Sequence, residues 1–202
     1  MREFVYYSKT APTSGSFIGE DLMKAGRLDI AIHTIIAAFF LSHSFRNDVK
    51  LHLVFEGPPT PPRHLELKPV TEGETNVDKI YLNKKNISDI IKKMLYKYKE
   101  GEKKEIFPGY FIERKSFLQV IKDLEKEGKE IYLLDKDGED IRSITFSDNP
   151  VFVLGDHQGI PNLKKEFKRI KHKLVSIGKK TYFASQTVAI VNNEVDRQEE
   201  SQ

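Results

Sequence analysis

Val151-Phe-Val-Leu-Gly155-Asp-His-Gln-Gly159-Ile-Pro161, followed by Val175-Ser-Ile-Gly178 and Thr181-Tyr-Phe-Ala-Ser-Gln-Thr-Val188, is the part of the chain that decides its fold. Two apolar strands each end in a glycine turn, and a small-residue helix follows. Val151–Leu154 is apolar at every position, as suits a strand buried on both faces of a parallel sheet. Glycines at strand ends let backbone N–H and C=O groups come close to a ligand. Two such turns one strand–helix–strand unit apart predict neighbouring turns, and a backbone-lined cleft at the carboxyl edge of the sheet.

Outward from there, the periodicity alternates between strand and helix. Glu3–Tyr7 predicts a strand, and Ser8–Gly19 a loop rich in Ser, Thr, Gly and Pro. Leu28, Ile32, Ile35, Ile36, Phe39, Phe40 and His43 fall at helical spacing, which predicts a buried helix over 29–44. Strands are expected at 50–56, 65–70 and 79–82, and a helix from Asn83 or Asn86 to about Lys99. The turn at Gly109 leads into a short strand. Ser116 caps a helix bearing Phe117, Val120, Ile121 and Leu124 on one face, and 130–134 is a strand followed by a polar turn over 135–140. Pro161 suits the first turn of a helix. Leu174–Ile177 is a strand. Ala184, Val188, Val191 and Val195 share one face of a final helix, with fraying expected after Arg197. The class is therefore α/β with a mostly parallel sheet.

Composition narrows the possibilities. At 202 residues the chain suits one domain or a tight two-lobed unit, and the longest apolar run, Ile35–Leu41, is too short to span a bilayer. The absence of cysteine excludes disulfides and thiol chemistry. Met1-Arg-Glu-Phe runs straight into a strand with no leader, which points to a cytoplasmic protein. A net charge of +3 is too mild to prove nucleic-acid binding. The basic residues nevertheless cluster, at Lys84-Lys85 through Lys92-Lys93, at Lys97 to Lys104, and at Lys164 to Lys173. Such clusters suit either solvated helix faces or a phosphate-tracking surface.

No G-x-G-x-x-G follows the first strand and no P-loop occurs, so ordinary Rossmann and P-loop readings lose support. None of the six histidines pairs with an acidic partner at metal spacing on one helix, and no metal is expected. Gly26-Arg27-Leu28-Asp29 opens the first long helix. There Asp29 either complements the helix dipole or orients a ligand, with Arg27 as a phosphate or base contact. Ser42-His43-Ser44-Phe45-Arg46-Asn47-Asp48 closes the same helix, where Arg46 is a second candidate for phosphate.

Taken in order, Gly26-Arg27-x-Asp29, Ser42-His43-Ser44-x-Arg46-x-Asp48, Leu154-Gly155-Asp156-His157-x-Gly159, Ser176-Ile177-Gly178, Thr181-Tyr182-x-Ala184-Ser185 and Asn193-Glu194-x-Asp196 resemble the TrmY family. These are archaeal tRNA pseudouridine N1-methyltransferases of the SPOUT class, and the resemblance spans nearly the whole chain. It implies S-adenosylmethionine-dependent methylation of N1 of pseudouridine at position 54 in the tRNA T loop, a C-terminal trefoil knot and a homodimer. It also implies a single domain over 1–202, with an RNA-facing half over about 1–110 and a knotted, cofactor-binding half over about 111–197. Cofactor contacts are expected at Leu133 and Leu134, at Gly155, Asp156, His157 and Gly159, and at Ser176, Ile177, Gly178, Tyr182 and Val188. Asp29 is expected to accept the N1 proton or orient the base, while Arg27 and Arg46 hold adjacent phosphates. The stretch Asn83-Lys-Lys-Asn-Ile-Ser-Asp89 departs from an acidic-arginine-serine pattern common in the family, so no catalytic role is assigned there. The competing readings are a SPOUT enzyme acting on ribosomal RNA or on a ribose 2′-OH, and an RNA-binding assembly factor without catalysis.

Overall fold

The apolar run at 151–154 forms the middle of a strand, Pro150–Gly155, with parallel neighbours on both sides. In the computed structural model, which describes residues 1–69, 84–161 and 169–200, eight strands make one sheet. In chain order these are β1 (Arg2–Ser8), β2 (Val49–Phe55), β3 (Arg63–Leu67), β4 (Lys104–Phe107), β5 (Tyr110–Glu113), β6 (Glu130–Asp140), β7 (Pro150–Gly155) and β8 (His172–Ser176). Among the described residues four α-helices accompany them: α1 (Leu28–Phe39), α2 (Lys84–Tyr96), α3 (Phe117–Lys126) and α4 (Ala184–Glu200). The spatial order is β4-β5-β3-β2-β1-β7-β6-β8. Strands β2, β1, β7, β6 and β8 run parallel, and β3, β5 and β4 extend the sheet antiparallel. The sheet is mostly parallel, as expected, and β7 lies directly beside β1, so both halves of the chain contribute to it.

Alternation along the central strands explains the two layers. Phe4, Tyr6, Leu51, Leu53, Phe152 and Leu154 pack with α1, α2 and α4 on one face. Val5, Tyr7, Val54, Ile131, Leu133, Val151 and Val153 pack under Phe117, Val120, Ile121 and Leu124 of α3 on the other. Among the described residues, no helix is long and apolar enough to cross a membrane.

Several boundaries differ from expectation, each for a local reason. Helix α1 stops at Phe39, five residues early, because Phe40 turns extended and bridges Phe45 across a turn, where the two rings stack edge-on at 4.4 Å. Strand β6 runs on through the predicted polar turn, because Glu139 and Asp140 resume pairing with Val175 and Ser176. Gly138 sits in that crossing, where a Cβ would lie 2.4 Å from the Val175 nitrogen. Helix α4 continues past Arg197, held by Gln198, which donates to the Ile144 carbonyl at 2.7 Å and accepts from the Phe146 N–H at 3.2 Å. Strand β4 is an element that the sequence pattern did not predict. The expected strand at 79–82, the Asn83 cap and a helix after Pro161 lie outside the described residues.

The apolar stripe of α4 is spent inside the subunit. Ala184, Val188, Val191 and Val195 are all buried in the core beside α1. The stripe covers the protein's own sheet, which removes it as an argument for a dimer.

Candidate active site

The glycine turns meet at the carboxyl ends of the parallel strands, around a cleft of about 600 Å³. Strand β6 separates β7 from β8, so the turns are not on adjacent strands, yet both reach the same space. Three loops form the walls: Leu134–Asp137 after the first part of β6, Leu154–Ile160 after β7, and Val175–Gly178 after β8. Lys180–Ala184, leading into α4, closes one side, and Ile30 of α1 reaches in from the N-terminal half.

The loop after β7 is shaped by its glycines and by Asp156. Gly159 adopts φ 74°, and its N–H bonds the Asp156 carbonyl at 2.9 Å. Gly155 is packed against that turn so closely that a Cβ would sit 2.2 Å from the carbonyl carbon of Gly159. The Asp156 carboxylate is buried and accepts from Ser8 Oγ at 2.8 Å, from the Lys9 N–H at 3.2 Å and from the Gln158 N–H at 2.8 Å. Asp156 therefore pins the loop to the end of β1. His157 stands half exposed on the rim of the cleft.

The loop after β8 is fastened by Ser176. Its hydroxyl accepts from the Gly178 N–H at 3.1 Å and lies 3.3 Å from the Lys136 carbonyl, joining two of the three walls. Gly178 has φ 125°, a region L side chains rarely adopt, and the space at its Cβ position is open. The same openness holds at Gly159. Backbone is thus left bare toward the cleft at two points, while Leu134, Leu154, Ile160, Val175 and Ile177 supply apolar walls. An adenine-bearing cofactor needs this combination of flat apolar cover and exposed backbone polar groups.

Of the residues expected at the cofactor, Leu134, Gly155, Asp156, His157, Gly159, Ile177, Gly178 and Tyr182 line the cleft. Three do not. The side chain of Leu133 points to the opposite face of the sheet, under α3. Val188 is fully buried in the core one turn into α4. Ser176 acts from behind the wall. Lining residues that the sequence reading missed include Lys136, in the irregular middle of β6, and Phe183, in the approach to α4, neither marked by periodicity.

Beside the cleft, the start of α1 carries an unusual backbone. Gly26 and Arg27 both have φ 58°, so two successive residues are left-handed. Gly26 is required there, because a Cβ would lie 1.9 Å from the Thr10 carbonyl oxygen. A left-handed arginine costs about 1–3 kcal/mol and is tolerated only where its surroundings enforce it. The enforcement is visible: the Arg27 guanidinium makes a fork with Asp29, Nε to Oδ1 at 3.0 Å and Nη2 to Oδ2 at 3.1 Å. These hydrogen bonds raise the affinity of the guanidinium for its proton. Under this fork lies Tyr6, whose buried hydroxyl has Ser8 as a near neighbour but no well-formed hydrogen bond. Burial holds the phenol protonated, and the charges of Asp156 and Asp29 add to the effect.

Arg46 is placed differently from expectation. It forms a fork with Asp196 of α4 at 2.8 and 2.5 Å, and Asp196 also accepts from the buried Arg2 at 2.7 Å. Burial would raise the Asp196 carboxyl, but the hydrogen bonds from Arg46 and Arg2 outweigh it and hold it below its ordinary value. Arg27 stands at the start of α1 and Arg46 beyond its other end, with the helix itself about 18 Å long.

Comparison with known proteins gives a consistent picture. A sequence model of SAM-dependent RNA methyltransferases matches residues 1–200. The chain is 34% identical over 200 residues to a Thermococcus kodakarensis protein named tRNA (pseudouridine(54)-N(1))-methyltransferase, covering 95% of this chain and 97% of that protein. A Pyrococcus abyssi protein of the same name is 36% identical over 206 residues, with 98% of each chain covered. Among solved structures, Archaeoglobus fulgidus Nep1 bound to S-adenosylhomocysteine superposes with a TM-score of 0.61 over 98% of each chain, at 13% identity. That likeness is one of fold.

Proposed function

This chain belongs to the SAM-dependent RNA methyltransferase family, and from that premise we propose that it methylates N1 of pseudouridine 54 in the T loop of tRNA. The observation that carries the reading is the junction of two features at one sheet edge. The glycine-loop cleft is built by the C-terminal half, and α1, which brings Ile30 into it, opens with the Arg27–Asp29 fork.

When bound, S-adenosylmethionine supplies a methyl group activated on a sulfonium. The residues that would hold it are Leu134, Gly155 to Gly159 and Ile177 to Tyr182, with Ser176 and Asp156 fixing the loops from behind. The rest of the chemistry belongs to the N-terminal half. N1 of pseudouridine is a ureido N–H, bonded to the C2 carbonyl carbon and to C6, and its proton has to pass to the Asp29 carboxylate or to water as the nitrogen is methylated. Both Asp29 oxygens are engaged by Arg27, but each keeps a free lone pair. Asp29 therefore accepts an N–H of the base and sets its register against the cleft, an alignment that contributes much of the rate. Arg27 spends two of its five N–H groups on Asp29 and keeps the others for a phosphate beside the flipped base.

The proposal includes a homodimer, a C-terminal trefoil knot and a cytoplasmic location, where tRNA is modified. Support for the dimer comes from apolar side chains left uncovered near the cleft, at Leu174, Tyr182 and Phe183. The knot is supported by the tight crossing of Gly138 over β8. Light scattering that gives a monomer at micromolar concentration contradicts the dimer. The activity is tested by nucleoside mass spectrometry of tRNA carrying pseudouridine 54, incubated with the protein and S-adenosylmethionine. N1-methylpseudouridine is the expected product, and a 2′-O-methylated nucleoside instead overturns the assignment.

A further inference from the structure

The connection between β1 and α1, residues 9–27, links the cleft to a second surface. At its start the Lys9 N–H bonds Asp156, and at its end Thr10 Oγ donates to the Gly26 carbonyl at 2.9 Å. Its middle, a 3-10 turn at Gly15–Phe17, packs on the last turns of α2. Lys92 Nζ donates to the Ile18 carbonyl at 2.9 Å, and a Cβ on Gly15 would lie 2.7 Å from the Tyr96 ring. The C-terminal end of α2 is therefore carried at the same edge of the sheet as the cleft.

The outward face of α2 combines two kinds of group, with Lys85 in its first turn and Lys93, Tyr96 and Lys97 at the end near the cleft. Lys85, Asp89, Lys93, Tyr96 and Lys97 follow one another at helical spacing, and all are exposed. Tyr96 is 58% exposed and Phe17, on the neighbouring turn, 50%. Lys50, Lys103, Lys115, Lys129 and Lys173 each sit against a carboxylate, while surface lysines such as Lys9, Lys122 and Lys126 stand apart from one without an exposed aromatic ring among their neighbours in the chain. Among the described residues, Lys85, Lys93 and Lys97 have no such partner, and Asp89 is the single acid on the stripe.

We propose that this face is a second footing for the RNA substrate, in which Lys85, Lys93 and Lys97 neutralise phosphates while Tyr96 and Phe17 stack on unpaired bases. The inference rests on the RNA-methyltransferase reading and adds where the RNA lies beyond the target nucleotide. Unneutralised cations beside two half-bare aromatic rings match a single-stranded loop joined to a stem, whose bases stack on aromatics and whose phosphates need cations. A protein partner or a second copy of the chain would call for a broader apolar surface and fewer free charges.

The test is fluorescence anisotropy of a full-length tRNA transcript containing pseudouridine, titrated at several salt concentrations. Lys93→Glu/Lys97→Glu is expected to weaken binding at least 10-fold and to reduce the salt slope by about 1.5, from two lost phosphate contacts. Tyr96→Ala is expected to weaken binding about 10-fold, and Tyr96→Phe to bind as the wild type does, since stacking needs only the ring. Melting temperature and S-adenosylmethionine affinity report that each variant is folded. Variants that bind tRNA with wild-type affinity and slope overturn the footing, as does a wild-type protein with no affinity for tRNA. A change in molecular mass on light scattering with unchanged RNA binding assigns the face to contact between copies, and overturns the proposal too. Tight binding without methylation would sink the enzymatic reading while leaving the footing in place.

Discussion

At the residue scale, two positions separate chemistry from architecture. Gly155 has no room for a side chain, but the obstruction is the backbone of Gly159 and Ile160 rather than an open ligand space. Gly155→Val is expected to spring the turn open and abolish S-adenosylmethionine binding by calorimetry, while circular dichroism still reports a folded chain. Unchanged affinity would mean that the cofactor lies elsewhere. Asp29 is the second position. Asp29→Asn keeps the side-chain size but removes the charge and one of the two acceptors of the fork, so single-turnover methylation of pseudouridine-containing tRNA is expected to slow about 10²-fold. Cofactor affinity should hold constant, because the cofactor loops are C-terminal. If Asp29 serves only the helix dipole, the rate will be that of the wild type and stability will drop by about 0.3–1 kcal/mol. The left-handed Arg27 that sets up this fork was not legible in the sequence, because backbone dihedrals at a non-glycine residue leave no compositional mark.

At the scale of elements, periodicity served well where it was long and one-sided. The face of Phe117, Val120, Ile121 and Leu124 located α3 and its Ser116 cap, and the all-apolar run located β7. Short edge strands such as Lys104–Phe107 have one face in solvent and few residues in which to alternate, so they were invisible. The end of α4 was decided by contacts from Gln198 to Ile144 and Phe146, more than 50 residues away in sequence, and the end of α1 by the local Phe40–Phe45 bridge, which helical periodicity does not encode. Arg46 is the sharpest case, since the sequence around it gave no sign that it clasps Asp196 of α4. Arg46→Ala leaves Asp196 with half its partners and is expected to cost about 1–2 kcal/mol, as suits a partly exposed, charge-assisted pair. A urea titration measures this. A variant that keeps wild-type stability but loses tRNA affinity would assign Arg46 to a phosphate.

At the scale of the whole molecule, the largest feature hidden from the sequence is a polar chain that crosses four adjacent strands. Lys129 Nζ meets Glu3 of β1 at 2.7 Å, Glu3 meets His52 of β2 at 2.8 Å, His52 meets His64 of β3 at 2.9 Å, and His64 meets Glu113 of β5 at 3.0 Å. Lys50 and Glu66 flank it, and Lys115 pairs with Glu113. Four residues so far apart in sequence show no spacing signal, and only the register of β1, β2, β3 and β5 brings them into line. Burial pushes His64 down from 6.5 to about 4, against the pull of Glu113. Burial would raise Glu3 and Glu113, but hydrogen bonds from His52 and Lys129 to Glu3, and from His64 and Lys115 to Glu113, prevail and lower both from 4.5 to about 2. All three shifts have the same consequence for stability. Below pH 6.5 the unfolded chain takes up a proton that folded His64 refuses, and below pH 4.5 it takes up protons that folded Glu3 and Glu113 refuse. The unfolded state therefore binds more protons throughout, and stability falls as pH falls. The melting temperature should be level above about pH 7 and decline from pH 6.5 through 4, with a further decline toward pH 2. Glu113→Gln keeps a hydrogen-bond acceptor for His64 but has no carboxylate to protonate, so its curve should be shallower than that of the wild type below pH 4.5. A wild-type curve that is flat from pH 6.5 to 3, or a Glu113→Gln curve parallel to it, would mean that the chain of glutamates and histidines does not link folding to protons.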